Sequence, residues 1–231
     1  MTLPPRVVVL AAPSGGGKTT IARELLRRRP QAFGYSVSAT TRKPRAGEQN
    51  GEAYYFLTRE EFQRRVRAGE FLEWAEYAGE LYGTLKSEVE RILASGRHVV
   101  LDIEVKGAQQ VRKVYPRPAS VSIFVIPPSP DVLIERLRKR RTESDQELRE
   151  RLAIAVREVQ AAAEDVQSAM VFDHIVVNDV LDSTVNQVIE IVDNPNTVKR
   201  RTIEMIRLLA AFVSRLEQEA HQLGQSVRGS T

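Results

Sequence analysis

The segment Ala12-Pro13-Ser14-Gly15-Gly16-Gly17-Lys18-Thr19 carries the most specific chemistry in this chain. A phosphate-binding loop has the pattern G-x-x-x-x-G-K-[ST] between a strand and a helix. The segment meets every term except the first, where Ala12 stands in place of Gly. Gly15, Gly16 and Gly17 allow successive backbone N–H groups to turn inward toward phosphate oxygens. The start of the following helix adds its positive dipole end. Lys18 supplies a mobile charge for the β- and γ-phosphates, and the Thr19 hydroxyl is a ligand for Mg²⁺. The pattern predicts a nucleoside triphosphate site built from residues 12–19 with Thr20 beside them, and it leaves the acceptor open. A tight glycine turn that binds nothing is the alternative. Lys-Thr after the last Gly, between a strand and a helix, argues against it.

The elements that must hold this loop are visible in the hydrophobic pattern. Val7-Val8-Val9-Leu10 is an unbroken apolar run, which predicts a strand covered on both faces of a parallel sheet. Val99 to Leu101, Val121 to Ile126 and Ile175 to Val177 repeat the signal. Helical patterns over Thr19 to Arg29, Ser87 to Ser95, Pro130 to Arg140 and Glu147 to Val166 separate them. Buried strands alternating with helices predict an α/β fold with a parallel sheet. Residues 35 to 85 differ. They hold Tyr35, Tyr54, Tyr55, Tyr77, Tyr82, the single Trp74 and a turn-rich stretch from Pro44 to Gly51. This reads as a small α+β insertion with a helix at Arg59 to Ala68. Asn194-Pro195-Asn196 marks a break. Beyond it Ile203, Ile206, Leu209, Val213, Leu216 and Ala220 recur at helical spacing, predicting a helix from Val198 to Gln222, about 37 Å long.

Composition narrows the function classes. The chain has 231 residues, 42% hydrophobic and 28% charged, as in an ordinary globular protein. It has no cysteine, which excludes disulfides, a catalytic thiol and thiolate zinc sites. His98, His174 and His221 lie too far apart for a local metal motif. The first apolar run spans only six residues, Val7 to Ala12, and the later run Leu208 to Val213 falls far short of the ~20 a membrane span needs. A cytoplasmic protein with no membrane partner is expected. Net charge is +4, of which +3 falls after residue 194. This placement argues against nucleic acid as a partner.

The acceptor is indicated by further blocks: Ser38-Ala39-Thr40-Thr41-Arg42-Lys43-Pro44-Arg45-Ala46-Gly47-Glu48, Gly51-Glu52-Ala53-Tyr54, Phe71-Leu72-Glu73-Trp74, Tyr82-Gly83-Thr84 and Leu101-Asp102-Ile103-Glu104. With the phosphate loop, they closely resemble the guanylate kinase family, in order and spacing, over residues 6 to 192. The resemblance implies a core of residues 1–34 and 99–194, a GMP-binding insertion at 35–98 and a lid over about 137–151. Residues 195–231 form an extra C-terminal helical extension. It implies that Arg42, Arg45, Tyr54 and Tyr82 hold the GMP phosphate and that Ser38, Glu73 and Thr84 read guanine. Asp102 and Glu104 would lie at the junction of acceptor and loop. Arg136, Arg140 and Arg151 match arginines that reach the transferring phosphates with Lys18 and Arg42, and Asn178 matches the stretch near adenine. Where Arg141 stands, the family usually has Gly.

The residue types suit these roles. Arginine forks donate paired charge-assisted hydrogen bonds to phosphate. A carboxylate at Glu73 accepts from guanine N1–H and the 2-amino group together, neither of which adenine offers. Singly, each residue has a plainer reading: surface arginines, core aromatics at Tyr54 and Tyr82, core packing at Trp74, a helix cap at Asp102. Arg136 to Arg141 could be a solvated helix end. A non-catalytic protein-binding module and a phosphotransferase for another acceptor remain as rivals; the intact loop opposes the first and the Ser38–Thr84 block the second. The expected reaction is ATP + GMP ⇌ ADP + GDP, with dGMP a second acceptor and Mg²⁺ as cofactor, in purine nucleotide metabolism. The apolar stripe of the tail predicts a homo-oligomer through that helix.

Overall fold

The computed structural model describes residues 4–77, 79–139, 145–168, 170–194 and 203–228. In chain order the elements are β1 (Val7–Ala11), α1 (Lys18–Arg28), β2 (Phe33–Tyr35), β3 (Ala39–Thr40), β4 (Tyr55–Phe56), α2 (Arg59–Arg67), β5 (Phe71–Tyr77) and β6 (Glu80–Leu85). They continue with α3 (Lys86–Ala94), β7 (His98–Ile103), α4 (Val105–Val114), β8 (Ser120–Ile126), α5 (Pro130–Arg138), α6 (Asp145–Ser168), β9 (His174–Val177), α7 (Leu181–Asp193) and α8 (Ile203–Arg228). A five-stranded sheet runs β2-β7-β1-β8-β9, with β2 parallel to β7 and β8 parallel to β9. Every residue of β1 and of β8 is buried, which is why both appear in sequence as continuous apolar runs. The α/β expectation is met.

The described residues fall into two compact units. One runs up to Val9 and from Ala22 to Val121; the other takes Leu10 to Ile21 and continues from Ser122. The first unit contains a second sheet, ordered β4-β3-β6-β5. Its core is Ala39, Phe62, Phe71, Leu81 and Leu85, with the Phe62 and Phe71 rings stacked at 4.3 Å. Helix α2 starts at Thr58, whose side chain accepts the Glu61 N–H, and Glu60 and Glu61 sit in its first turn where the dipole favours anions. Strand β2 joins the larger sheet, pairing Tyr35 with Val100. The residue read as the start of the insertion is therefore the end of a core strand.

The β5–β6 ladder slips between Phe71 and Glu73. Such an irregularity changes the alternation of faces. Phe71, Leu72 and Glu73 are buried in succession, and Trp74 points outward with 42% exposure. The expectation that Trp74 packs in the core is overturned for this reason.

In the second unit, α8 lies along α6 and against α5. It buries Leu209, Phe212 and Leu216 completely, while Ile206 is exposed. The buried stripe is thus turned toward Phe212 relative to the one read from sequence. Leu209 and Leu216 of the apolar face expected to pair two copies are covered within the chain itself. Helix α5 ends at Arg138, capped by Lys139; Arg140 and Arg141 lie outside the described residues. Among the described residues no helix is long and apolar enough to cross a membrane.

Candidate functional site

The second unit holds the phosphate loop. Strand β1 delivers Ala12, Pro13 and Ser14, and α1 begins at Lys18. Gly15 and Gly17 have φ of 84° and 97°, a left-handed conformation that side chains disfavour. The Gly16 N–H donates to the Pro13 carbonyl at 2.8 Å and Ile21 N–H to Gly17 at 3.1 Å, closing the turn onto the helix. A Cβ on Gly16 would stand 2.6 Å from the Ala12 Cβ, so the methyl replacing the first glycine already fills that space. Lys18 Nζ donates to the Ala12 carbonyl at 2.8 Å and arches back over the loop. Thr19 and Thr20 are exposed on the first turn of α1.

Two long-range contacts hold the loop. Asn178, buried at the end of β9, donates from Nδ2 to the Gly16 carbonyl at 3.0 Å. That amide stands where a Cβ on Gly17 would be, at 2.3 Å. Asn178 is therefore seated against the loop's own backbone. Arg136 Nη1 approaches the Gly15 carbonyl at 3.4 Å, and Leu133 and Leu137 of α5 pack beside the same glycine. Arg151 is half-buried on α6. Arg140 falls outside the described residues.

The first unit brings together most of the residues expected at the acceptor. Arg42 Nη2 donates to Glu48 Oε1 at 2.9 Å and Nη1 to the Lys43 carbonyl at 2.7 Å. Its guanidinium stands over the Tyr54 ring at 5.3 Å, with the Tyr82 phenol nearby. The hydrogen bond to Glu48 raises the Arg42 guanidinium above its ordinary value. Tyr54 and Tyr82 meet edge to face at 6.0 Å. Burial, then the neighbouring Tyr82 and Asp102, push the Tyr54 phenol up. The Arg45 side chain is exposed, and its backbone N–H donates to Glu48 Oε2 at 2.7 Å. Glu48 thus binds both the arginine and the loop carrying the next one, a role that motif reading missed although Glu48 closes the quoted block.

Glu73 is 5% exposed on β5. The Thr84 hydroxyl, opposite on β6, donates to Glu73 Oε1 at 2.7 Å. Burial pushes the Glu73 carboxyl up to about 7, against the Thr84 hydrogen bond, and the Glu104 charge pushes the same way. A Cβ on Gly107 of α4 would lie 2.6 Å from Glu73 Oε2. A bare glycine is what lets α4 approach the carboxylate, another contact that spacing does not show. Ser38 is half-buried and passes its carbonyl to the Tyr55 N–H at 2.9 Å. Asp102 lies within β7, and the N-cap of α4 is Glu104, so the helix-cap alternative for Asp102 falls away. Tyr35, not singled out from sequence, is raised by burial and by Asp102 and Tyr54 nearby.

A phosphate loop closing a buried strand of an α/β sheet defines the class: a phosphate-loop kinase fold. The guanylate kinase family model matches residues 4–195. The chain is 48% identical over 187 residues to a guanylate kinase of Synechocystis sp., covering 81% of this chain and 93% of that one. To a guanylate kinase of Sus scrofa it is 47% identical over 178 residues, covering 77% and 87%. The crystal structure of guanylate kinase from Anaplasma phagocytophilum superposes with a TM-score of 0.61 at 29% identity, over 92% of this chain and 98% of that one. This chain belongs to the guanylate kinase family.

Proposed function

We propose that the chain transfers the γ-phosphoryl group of ATP to GMP, and to dGMP, giving ADP and GDP or dGDP. Glu73 carries the reading. It is a buried carboxylate fixed at one oxygen by Thr84, on the unit that also gathers Arg42, Tyr54 and Tyr82. Guanine N1–H and the 2-amino group would satisfy it together. Adenine would leave it unpaired, and a site built on such bonds rejects the wrong base by about 10⁴-fold. The proposed readers bond base and phosphate rather than ribose, which supports dGMP as a second acceptor.

The acceptor phosphate is already anionic and needs no strong base. Positioning and charge stabilisation carry the rate in phosphoryl transfer. Arg42, Arg45, Tyr54 and Tyr82 hold the GMP phosphate, with Ser38, Glu73 and Thr84 on the base. Asp102 and Glu104 serve the junction of acceptor and donor. Lys18, Arg136, Arg140 and Arg151 neutralise the transferring group, and Asn178 serves the adenine side while bracing the loop. The Thr19 hydroxyl is the hard oxygen donor that suits Mg²⁺, which retains waters and takes phosphate oxygens, and when bound the ion neutralises phosphate charge. In this reading the segment between β2 and β7 acts as the GMP-binding insertion, about 137–151 as the lid, and the flanking residues up to 194 as the core. The setting is purine nucleotide recycling in the cytoplasm.

The test is ADP formation with GMP, dGMP, AMP, CMP and UMP as acceptors. GMP and dGMP should be the substrates. A preference for AMP or a pyrimidine nucleotide would overturn the reading.

A further inference from the structure

Helix α8 begins beyond residue 195, where the family model ends. Its buried positions are Leu209, Phe212, Leu216 and Glu219, with Glu219 only 4% exposed. The last of these continues an apolar stripe with a carboxylate. Burying a charge costs several kcal/mol unless it is paired, and an apolar residue would serve packing as well. Glu219 is paired twice: its Oε1 accepts from Arg138 Nη2, and its Oε2 from Arg215 Nη1 at 2.9 Å. Arg215 in turn reaches Asp131 through Nε at 3.0 Å.

Both anchors lie on α5. Asp131 is in its first turn and Arg138 in its last. Seven residues apart at about 100° each, they share one face of the helix. Arg136, Leu133 and Leu137, which meet the phosphate loop at Gly15, centre about 180° away. Helix α5 is therefore fastened at both ends by α8 on one side and applied to the phosphate loop on the other.

We infer that α8 is a built-in brace for α5, with Glu219 a positioning residue that sets Arg136 against the phosphate loop. This rests on the proposed work of Arg136 on the transferring phosphates. The brace acts on the donor side, so its loss lowers kcat and leaves the KM for GMP alone. It also explains why charge, rather than another leucine, stands at the end of the stripe: a charged fork fixes the axial position of α5, which apolar contact leaves free to slide.

The test uses the full chain with Glu219→Leu, which keeps an apolar face and so keeps the melting temperature. Turnover with saturating ATP and GMP should fall about ten-fold, part of the ~100-fold that an ångström of misplacement costs. The KM for GMP should not change. Amide hydrogen exchange in α5 and at Gly15 to Lys18 should rise, and Glu219→Asp, which keeps the charge, should recover part of both effects. If Glu219→Leu fails to fold, Arg138→Gln removes the more exposed partner and should move both readouts in the same direction. Unchanged turnover or unchanged exchange at the loop, either alone, overturns the brace. Wild-type turnover in Arg136→Ala would instead remove the proposed role of Arg136. An unaltered chain inactive on GMP would remove the substrate reading, and exchange alone would still decide the brace.

Discussion

Replacing Glu73 by Gln separates what the carboxylate does for recognition from what it does to stability. The substituted side chain would keep an Oε1 for the Thr84 hydroxyl, which now bonds at 2.7 Å, and put an amide where Oε2 faces Gly107. In the folded chain the carboxyl is held at about 7, against 4.5 without burial. Below about pH 4.5 both folded and unfolded chains keep the proton, and the group adds no pH dependence. Between 4.5 and 7 the unfolded chain releases it while the folded one does not, so stability falls as pH rises. Above about 7 the full cost is present, roughly 3 kcal/mol at 1.36 kcal/mol per pH unit. Urea unfolding at pH 4.5 and pH 8 should therefore show Glu73→Gln gaining roughly 3 kcal/mol on the wild type between the two. Any fixed cost of the new amide cancels in that comparison. Activity should go the other way. Two charge-assisted bonds to guanine at about 1.5–3 kcal/mol each put the loss in kcat/KM for GMP near 10²- to 10⁴-fold. In the wild type kcat/KM for GMP should fall as pH drops below about 7, and in Glu73→Gln that dependence should vanish. Parallel stability curves for the two proteins would refute the buried charge. An unchanged kcat/KM for GMP would refute its role in reading the base.

Lys18→Ala should cut turnover by about 100-fold or more, because the charge over the phosphates is lost. Its one described bond is to the Ala12 carbonyl, so the thermal melt should barely move; near-normal turnover would sink the phosphate-loop assignment. Gly107→Ala would place a methyl 2.6 Å from Glu73 Oε2, and overpacking of this kind costs about 1–3 kcal/mol. Steady-state kinetics should show the KM for GMP rising about ten-fold with the KM for ATP unmoved; equal rises in both would contradict the assigned contact. Glu48→Gln should release Arg42 and lower kcat/KM for GMP about five-fold, the modest effect of a partly exposed ion pair. A higher kcat/KM would mean that Glu48 competes with the phosphate instead of presenting the arginine.

The phosphate loop was legible because its chemistry is written into eight consecutive residues. The central strands were legible because burial on both faces leaves no room for polar alternation. What escaped depends on contacts between distant positions. Asn178 meets Gly16 across 162 residues, and no local pattern could distinguish a brace for the loop from a neighbour of adenine. Strand β2 is three residues with a glycine in the middle, too short to carry a period. Trp74 was misplaced because a slip in the ladder between Phe71 and Glu73 changes which face the following residues take. The tail gave the right element and the wrong rotation, since Phe212 and Ile206 sit on neighbouring faces and only the partner helices decide between them.

The outward turn of Trp74 gives this protein an optical property. It is the only tryptophan in the chain, and its indole follows Glu73 directly in β5. Gln110 of α4 holds its backbone at both groups, accepting from the Trp74 N–H at 3.3 Å and donating to its carbonyl at 3.0 Å. The strand that carries Glu73, the proposed reader of the base, and the helix that covers it are therefore joined at the fluorophore. With 42% of its surface in water, the indole should emit at long wavelength, and a tightening of α4 on β5 as a nucleotide seats should alter that emission. On the proposed reading the acceptor side carries its own unlabelled reporter, one expected to answer to GMP in the absence of ATP and of turnover.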